Sequence, residues 1–160
     1  MAHEYKAVIA WQRGPGEAFT DLKFSRAHQW SFDGGISVPA SASPLSVRVP
    51  YARAEAVDPE EALVAALSSC HMLTFLYLAA KRGLVVNSYA DEAVGVMTKN
   101  ARGKLFVSKA TLRPRIAFAD AHAPDPAQLA ELHHAAHEEC YIANSVLTEV
   151  VVEPVPVLHQ

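Results

Sequence analysis

Residues 62–80 read ALVAALSSCHMLTFLYLAA and contain no Asp, Glu, Lys or Arg. An uncharged stretch of this length is a candidate membrane span, because about 20 helical residues cross the apolar part of a bilayer. Its centre is too polar for a span, since Ser68, Ser69, Cys70, His71 and Thr74 lie together there. A helix that is apolar on all sides must instead be covered by protein on all sides. We therefore predict a buried central helix and no membrane association.

The residues on either side of this stretch predict the ends of the helix. Asp58 suits the N-cap, Pro59 suits the first turn, and the two glutamates that follow face the positive end of the helix dipole. At the other end, Lys81 and Arg82 precede Gly83, which is typical of a helix terminus. We predict one helix over residues 59–82.

The chain before this helix has the pattern of strands and turns. Residues 4–11 alternate as a strand does, and RGPGE at 13–17 is a turn signal that leads to a second strand at 18–24. This pattern predicts a hairpin. Further turn residues at 33–35 and a Ser/Pro/Ala loop follow, and a short strand is expected at 46–49.

The chain after the helix predicts two long strands, a second helix and a final strand. Residues 85–99 and 104–118 are joined by an NARG turn, and the second segment alternates apolar and basic side chains. Asp125 and Pro126 open a helix that runs to about Cys140, and residues 146–153 form the last strand. The order predicts a single α+β domain over residues 1–160, with two helices packed on an antiparallel sheet.

Composition and charge restrict the possible partners. The net charge is -3 and the basic residues are scattered, so nucleic acid is not expected to bind. No secretory signal is apparent at the N-terminus, which predicts a cytoplasmic protein. In a chain of 160 residues, one sheet covers only one side of the central helix, so we predict an intertwined homodimer in which a second copy covers the other side.

Two cysteines and a row of histidines are the candidate reactive groups. His133, His137 and Cys140 are spaced i, i+4, i+7, which places them on one stripe of the second helix at about 100° per residue. Imidazole and thiolate groups in such a stripe suit zinc. They also suit a redox thiol with histidine neighbours, or a buried core stripe. The residues alone leave these three interpretations open.

Two signatures in the chain resemble those of the osmotically inducible and organic hydroperoxide resistance (OsmC/Ohr) family. The first is Asp-Pro-Glu at 58–60, followed by an alanine-rich helix and Cys70. The second is Ala-His-x-x-Cys at 136–140, with Asn144 four residues later. The order of the predicted helices and strands also resembles the OsmC-like fold, over nearly the whole chain.

The resemblance implies a two-cysteine peroxidase that reduces organic hydroperoxides. By this likeness Cys70 attacks the peroxide and Cys140 resolves the sulfenic acid as a disulfide. A dithiol reductant, such as a lipoyl group or a small thiol, would regenerate the pair, and no cofactor is implied. The family also uses an arginine and the glutamate of its first signature, which implies Glu60 and, among the arginines before Cys70, Arg26.

The positions of Glu60 and Cys70 raise a geometric question that a dimer would answer. Ten helical residues span about 15 Å, so one straight helix cannot bring both side chains to one site. Two copies of the helix crossing antiparallel near residue 65 would place Glu60 of one chain beside Cys70 of the other. We therefore predict an active site completed across the dimer interface.

The chain departs from the family pattern beside each cysteine. His71 stands where an aromatic residue is common, and Tyr141 where proline is common. We expect His71, Phe75, His137 and Tyr141 to bind substrate, with the imidazole of His71 making the pocket less suited to an apolar hydroperoxide. Two alternatives stay open: a zinc-binding or sensing module that uses the Cys/His cluster, and an OsmC-like binding protein without peroxidase activity.

Overall fold

The structure, a computed structural model, describes residues 2–119 and 123–155. The chain divides into two compact units, residues 1–62 and residues 63–160. The described segments of the second unit contain both cysteines, His71, His133 and His137.

The first unit contains a three-stranded antiparallel sheet in the order β1-β2-β3, with β1 at Ala7–Ala10, β2 at His28–Phe32 and β3 at Ser37–Ala40. The predicted hairpin between residues 4–11 and 18–24 is wrong, because β1 pairs with β2.

Side-chain contacts explain why residues 18–24 form a loop. Phe19 and Phe24 stack with ring centroids 4.4 Å apart, and Trp11 packs against both rings. The Glu17 carboxylate accepts hydrogen bonds from the backbone N–H groups of Gly14 and Ser25. These aromatic and loop contacts take the place of a strand ladder.

The short strand predicted at 46–49 is also absent. The N–H groups of Ser46 and Val47 both donate to the carbonyl of Ser43, which closes a turn there. Short turns of this kind are favoured by the Ser/Pro composition that precedes them.

The central helix, α1, spans Pro59–Lys81, in agreement with the prediction. At its start, Asp58 and Glu61 form a reciprocal capping box: the N–H of Glu61 donates to Asp58 Oδ1, and the N–H of Asp58 donates to Glu61 Oε2. At its end, Gly83 adopts a φ of 76°, and the N–H of Leu84 donates to the carbonyl of Ala79. This is the glycine-dependent Schellman terminus that the sequence predicts.

The second unit contains a long hairpin built from four strands, namely β4 (Val86–Asp91), β5 (Val94–Lys99), β6 (Leu105–Leu112) and β7 (Pro114–Phe118). β5 pairs with β6 and β4 pairs with β7, both antiparallel, across the turn at residues 100–103. Each of the two predicted strands is therefore divided in two. Pro114 contributes to this break because it has no N–H for a ladder, and the N–H of Arg113 donates instead to the Asp91 side chain.

The second helix, α2, spans Pro126–Glu138 and is followed by a single 3-10 turn at Ala143–Ser145 and by β8 at Glu149–Val152. Asp125 caps α2, as the sequence predicts, and it also forms a capping box with Gln128. β8 pairs with β6 in parallel, and every other strand pair among the described residues is antiparallel, as predicted. The helix between β7 and β8 provides the crossover that a parallel pair requires.

The described core lies among α1, α2 and β7. Phe75 and Ala79 of α1 pack with Ile116 and Phe118 of β7, and with Leu132 and Ala136 of α2. His71 and Phe75 of α1 also pack on His133 of α2, and we call these facing sides of α1 and α2 the seam.

α1 is buried along one stripe and exposed along another. Its buried residues are Leu67, His71, Phe75 and Ala79, each four positions after the last, whereas Leu73 and Tyr77 are 61% and 65% exposed. Among the described helices, α1 alone has the length and apolar composition of a membrane span. The prediction of burial on all sides is not met by the single chain, and cover by a second copy stays a prediction.

Candidate functional site: a thiol pair beside a histidine cluster

The Cys70 side chain lies close enough to Cys140 to raise the pKa of the Cys140 thiol, and neither cysteine is in a disulfide. Cys70 lies in the middle of α1 and is half-buried, whereas Cys140 follows α2 and is only 1% exposed. Burial is the main reason that the pKa of Cys140 is raised to about 11, and the neighbouring Cys70 side chain raises it further. Cys140 is therefore a thiol at neutral pH.

The turn after α2 fixes the position of Cys140. The amide of Asn144 donates to the carbonyls of Glu138 and Cys140 at 2.8 and 3.0 Å, and its backbone N–H also donates to the carbonyl of Cys140. Asn144 thus satisfies carbonyl groups that the helix end leaves unpaired. This gives a structural reason for the asparagine four residues after the second cysteine.

Two buried histidines face each other next to the thiol pair. Nε2 of His71 on α1 lies 3.0 Å from Nδ1 of His133 on α2, within hydrogen-bond distance, and the two rings are nearly parallel. Their residues are 1% and 3% exposed. Burial is the main reason that each pKa is lowered to about 4, so both imidazoles are neutral at pH 7.

His137 completes this histidine cluster. It lies between His133 and Cys140 on the predicted stripe of α2, and His134 is exposed, as the spacing predicts. The proximity of His137 also lowers the pKa of His71. His71 Nδ1, His133 Nε2 and His137 Nδ1 are buried and have no hydrogen-bond partner among the described residues. The seam thus holds three imidazoles that each keep an unused ring nitrogen.

Asp91 brings a carboxylate close to the histidine cluster. Its Oδ2 accepts a hydrogen bond from Ser68 of α1, and its Oδ1 accepts one from the backbone N–H of Arg113. Its charge raises the pKa of His71, against the larger effect of burial. It also raises the pKa of Tyr89, whose buried hydroxyl lacks a partner among the described residues.

Sequence analysis missed Asp91. A signal was available, because Asp91 interrupts the predicted strand over residues 85–99 with an acidic side chain that the local pattern does not require. Its partners could not be found from the sequence, because Ser68 and Arg113 are each more than twenty residues away.

Arg26 and Glu60 both belong to the first unit. The Arg26 guanidinium donates to the carbonyls of Leu22 and Phe24 and stacks 3.7 Å from the centre of the Phe24 ring. Among the ion pairs within residues 2–119 and 123–155, none joins Arg26 to Glu60. Their predicted catalytic roles stay predictions.

The structure separates the four predicted substrate-binding residues by burial. His71 and Phe75 are core residues, and the Phe75 ring packs 4.6 Å from the centre of the His133 ring. His137 is half-buried, and Tyr141 is 79% exposed. The structure thus gives His71 and Phe75 packing contacts within the seam, and substrate contact by these four residues stays a prediction.

The zinc interpretation can be compared with the geometry. Within the described part of the chain, no three His, Cys, Asp or Glu side chains are arranged to hold a metal ion. The hydrogen bond between His71 and His133 instead uses one ring nitrogen of each.

Comparison with known proteins places the chain in a family. The profile of a family described as OsmC-like protein matches residues 52–155, which include the thiol pair and the histidine cluster. The chain belongs to the OsmC-like protein family. The matched range includes Glu60 and leaves out Arg26. No curated protein matches the chain.

Solved structures agree with the OsmC-like fold. An OsmC-like protein of unknown function from Vibrio cholerae is 54% identical, with a TM-score of 0.94, and the match covers 96% of this chain and 100% of that one.

Two more distant proteins share the fold at lower identity. An OsmC-like protein from Mycoplasma pneumoniae is 15% identical, with a TM-score of 0.73, over 99% of this chain and 100% of that one. The organic hydroperoxide resistance protein OhrB of Bacillus subtilis is 16% identical, with a TM-score of 0.66, over 96% of this chain and 98% of that one. Together these matches confirm the predicted α+β, OsmC-like fold.

Proposed function

We propose that this OsmC-like protein is a thiol peroxidase that reduces organic hydroperoxides through Cys70 and Cys140. The observation that carries the proposal is the proximity of the two thiols, one half-buried and one fully buried. A redox pair needs its two cysteines near each other in the fold, because a disulfide forms only between neighbouring side chains. The likeness in fold to proteins named for hydroperoxide resistance supports the same chemistry.

In the proposed reaction, the thiolate of Cys70 attacks the peroxide oxygen and the O–O bond breaks. The alcohol leaves with the proton that the thiol has lost, and Cys70 becomes a sulfenic acid. Cys140 then attacks this sulfur, which forms the disulfide and releases water. Cys70 is the more exposed of the two, so it is the natural first residue for both the peroxide and the reductant.

A dithiol reductant would return the pair to its starting state. One thiolate of the reductant attacks the Cys70–Cys140 disulfide and forms a mixed disulfide. Its second thiol then attacks the mixed disulfide, so that the reductant becomes a disulfide and both cysteines recover their thiols. We propose a lipoyl group or a small dithiol in the cytoplasm for this role, because a reducing compartment maintains such thiols.

The proposed active form is a homodimer. The exposed apolar stripe of α1, which includes Leu73 and Tyr77, supports this proposal, because such a stripe is costly to leave in water. In the proposed dimer, Glu60 of one copy lies beside Cys70 of the other, and Arg26 stabilises the thiolate and the developing charge on the leaving oxygen.

The test is a single addition of cumene hydroperoxide to the reduced protein. We expect two free thiols to become one Cys70–Cys140 disulfide, identified by mass spectrometry of peptides, and dihydrolipoamide to restore both thiols. Cys70→Ser should abolish turnover, whereas Ser69→Ala, at the exposed neighbouring position on α1, should retain it.

Other results would point to the alternatives. Thiols that remain free after peroxide would favour an OsmC-like binding protein without peroxidase activity. Stoichiometric zinc in protein purified without added metal, with thiols protected until a chelator is added, would favour a metal-binding module.

A further inference from the structure

The histidine cluster is a group of buried, titratable side chains that the proposed peroxide chemistry does not yet use. His71, His133 and His137 lie in a seam whose other described core residues are mostly apolar. A buried polar atom without a partner costs free energy, of about 1–3 kcal/mol. Three such nitrogens in one place therefore need a functional explanation.

The hydrogen bond between His71 and His133 can exist in two forms. A neutral imidazole carries one N–H and one lone pair. If His71 Nε2 donates, then His71 Nδ1 has the free lone pair and His133 Nε2 carries the free N–H. If His133 Nδ1 donates, these roles are exchanged. The pair can thus accept a proton at one end and release one at the other without a lasting charge.

The histidine cluster adjoins the thiol pair on both helices. His71 directly follows Cys70 on α1, and His137 lies one turn before Cys140, whose N–H donates to the carbonyl of His137 at 3.2 Å. His137 is also close enough to His71 for its charge to lower the pKa of that residue. The histidine cluster thus flanks the thiol pair along the chain on both helices.

The resolving step needs groups that can take up and return a proton. Cys140 is a thiol at neutral pH, because its pKa is raised to about 11, and a thiol is a poor nucleophile. When it attacks the sulfenic acid of Cys70, its S–H bond must break. The departing hydroxide must then gain a proton to leave as water.

We propose that the histidine cluster is the proton relay of the resolving step, which takes the proton of Cys140 as the disulfide forms and returns it to the departing hydroxide. This proposal rests on the proposed peroxidase function. The S–S bond forms, the S–O bond of the sulfenic acid breaks, and one water is released, so the cluster ends the step as it began. The sulfur of Cys140 is oxidised and that of Cys70 is reduced.

The groups around the cluster fit this role. Asp91, at the end of β4, acts on His71 with a negative charge, which stabilises a transient imidazolium. Phe75 of α1 packs on both Tyr89 of β4 and His133. These rings keep water from the part of the relay that they cover.

The test separates the two chemical steps in a single turnover. Reduced full-length protein is mixed with cumene hydroperoxide and quenched at intervals, and mass spectrometry measures the sulfenic acid, trapped with dimedone, and the disulfide. We expect His133→Gln to leave formation of the sulfenic acid unchanged and to slow formation of the disulfide by about 100-fold, the usual scale of general acid–base catalysis. His134→Gln, at the exposed neighbouring position, is the matched control and should change neither step.

The pH profile distinguishes a relay from a merely structural role. Without the relay, the disulfide step must wait for ionised Cys140, so its rate in His133→Gln should rise about tenfold per pH unit toward the pKa of that thiol. A structural defect would instead slow the step equally at every pH. An unchanged disulfide step in His133→Gln, or equal slowing at every pH, would overturn the relay.

Two further measurements, both on the wild-type protein, test the relay without a histidine variant. In the wild-type protein labelled with ¹⁵N, scalar coupling between His71 Nε2 and His133 Nδ1 should report the hydrogen bond directly, even if a histidine variant does not fold. Its absence at neutral pH would overturn the relay by itself. If the wild-type protein forms no sulfenic acid, the peroxidase proposal fails first and the relay fails with it.

Discussion

A Cβ atom placed on Gly95 of β5 would lie only 2.5 Å from Cγ2 of Val64 on α1. The backbone of β5 thus passes directly beneath α1, at a distance that no other residue type allows without movement. The same helix carries Ser68, Cys70 and His71. The close approach at Gly95 is therefore one of the contacts that set the distance between β5 and α1, the helix that carries these site residues.

Gly95→Ala should destabilise the protein by about 1–3 kcal/mol, because an added methyl in a packed contact forces neighbouring atoms apart. Urea unfolding followed by circular dichroism measures the change. Gly34→Ala is the matched control, since a Cβ there meets nothing within 4 Å. If the contact is the cause, the double variant Gly95→Ala, Val64→Ala should lose less stability than the sum of the single variants.

Acid should destabilise the protein through His71 and His133. Their folded pKa values are lowered to about 4, below the usual value near 6.5, so between these pH values the unfolded chain binds protons that the folded chain does not. The resulting stability is fully present above about pH 6.5 and is lost as pH falls toward 4, by about 1.4 kcal/mol per pH unit for each histidine.

Urea unfolding at a series of pH values checks this dependence. The variant His71→Phe, His133→Leu should show a flatter profile between pH 4 and 6.5, whatever its stability at neutral pH. An equally steep profile in that variant would assign the acid sensitivity to other groups.

Cys140 should react slowly with alkylating reagents at neutral pH. It is 1% exposed and its pKa is raised to about 11, whereas Cys70 is half-buried. Peptide mass spectrometry after timed iodoacetamide labelling should find Cys70 modified first. Cys70→Ala should lower the pKa of Cys140, because it removes the neighbouring thiol whose proximity raises it. Titration of the thiolate absorbance in this variant gives a direct check, and an unchanged pKa would contradict the proximity of the two thiols.

Asp91→Ala should cost about 1–3 kcal/mol, because it leaves the Ser68 hydroxyl and the Arg113 N–H without their acceptor. Thermal or urea unfolding measures this loss. Glu92→Ala is the matched control at the next residue, since Glu92 makes a surface ion pair with Arg115 and such pairs contribute little. Equal effects of the two substitutions would contradict the importance of the buried carboxylate.

Leu73→Asp should convert the proposed homodimer to a monomer, because it places a charge within the exposed apolar stripe of α1. Light scattering after size-exclusion chromatography measures the mass. Leu45→Asp is a control in the first unit, since Leu45 is 99% exposed, and it should not change the mass. A wild-type protein that is monomeric at high concentration would contradict the dimer.

The parts of the fold that the sequence predicts well are those determined by local chemistry. Both helices begin at an Asp-Pro pair, and Gly83 terminates α1 just after its last residue. Such caps depend on residues within a few positions of each other. The pairings that the sequence does not predict involve distant partners. The pairing of β1 with β2, and of β8 with β6, depends on segments that a local pattern does not compare.

The candidate site shows the same division. Helical spacing places His133 and His137 on one stripe of α2, and Cys140 lies just beyond the helix end. Burial of His133 and Cys140 agrees with the predicted stripe. That His71 meets His133, and that Asp91 meets Ser68, depends on how α1 packs against α2 and β4. Sequence spacing within one element cannot contain that information.

The parallel pairing of β8 with β6 sets the order in which the second unit can be completed during synthesis. Residues 149–152 complete the sheet against residues 109–112, so the hairpin and α2 leave the ribosome before their last partner does. Bringing such distant segments together carries an entropy cost that only the finished sheet repays. Until β8 emerges, one edge of β6 is open to other chains, which exposes the newly made chain to aggregation.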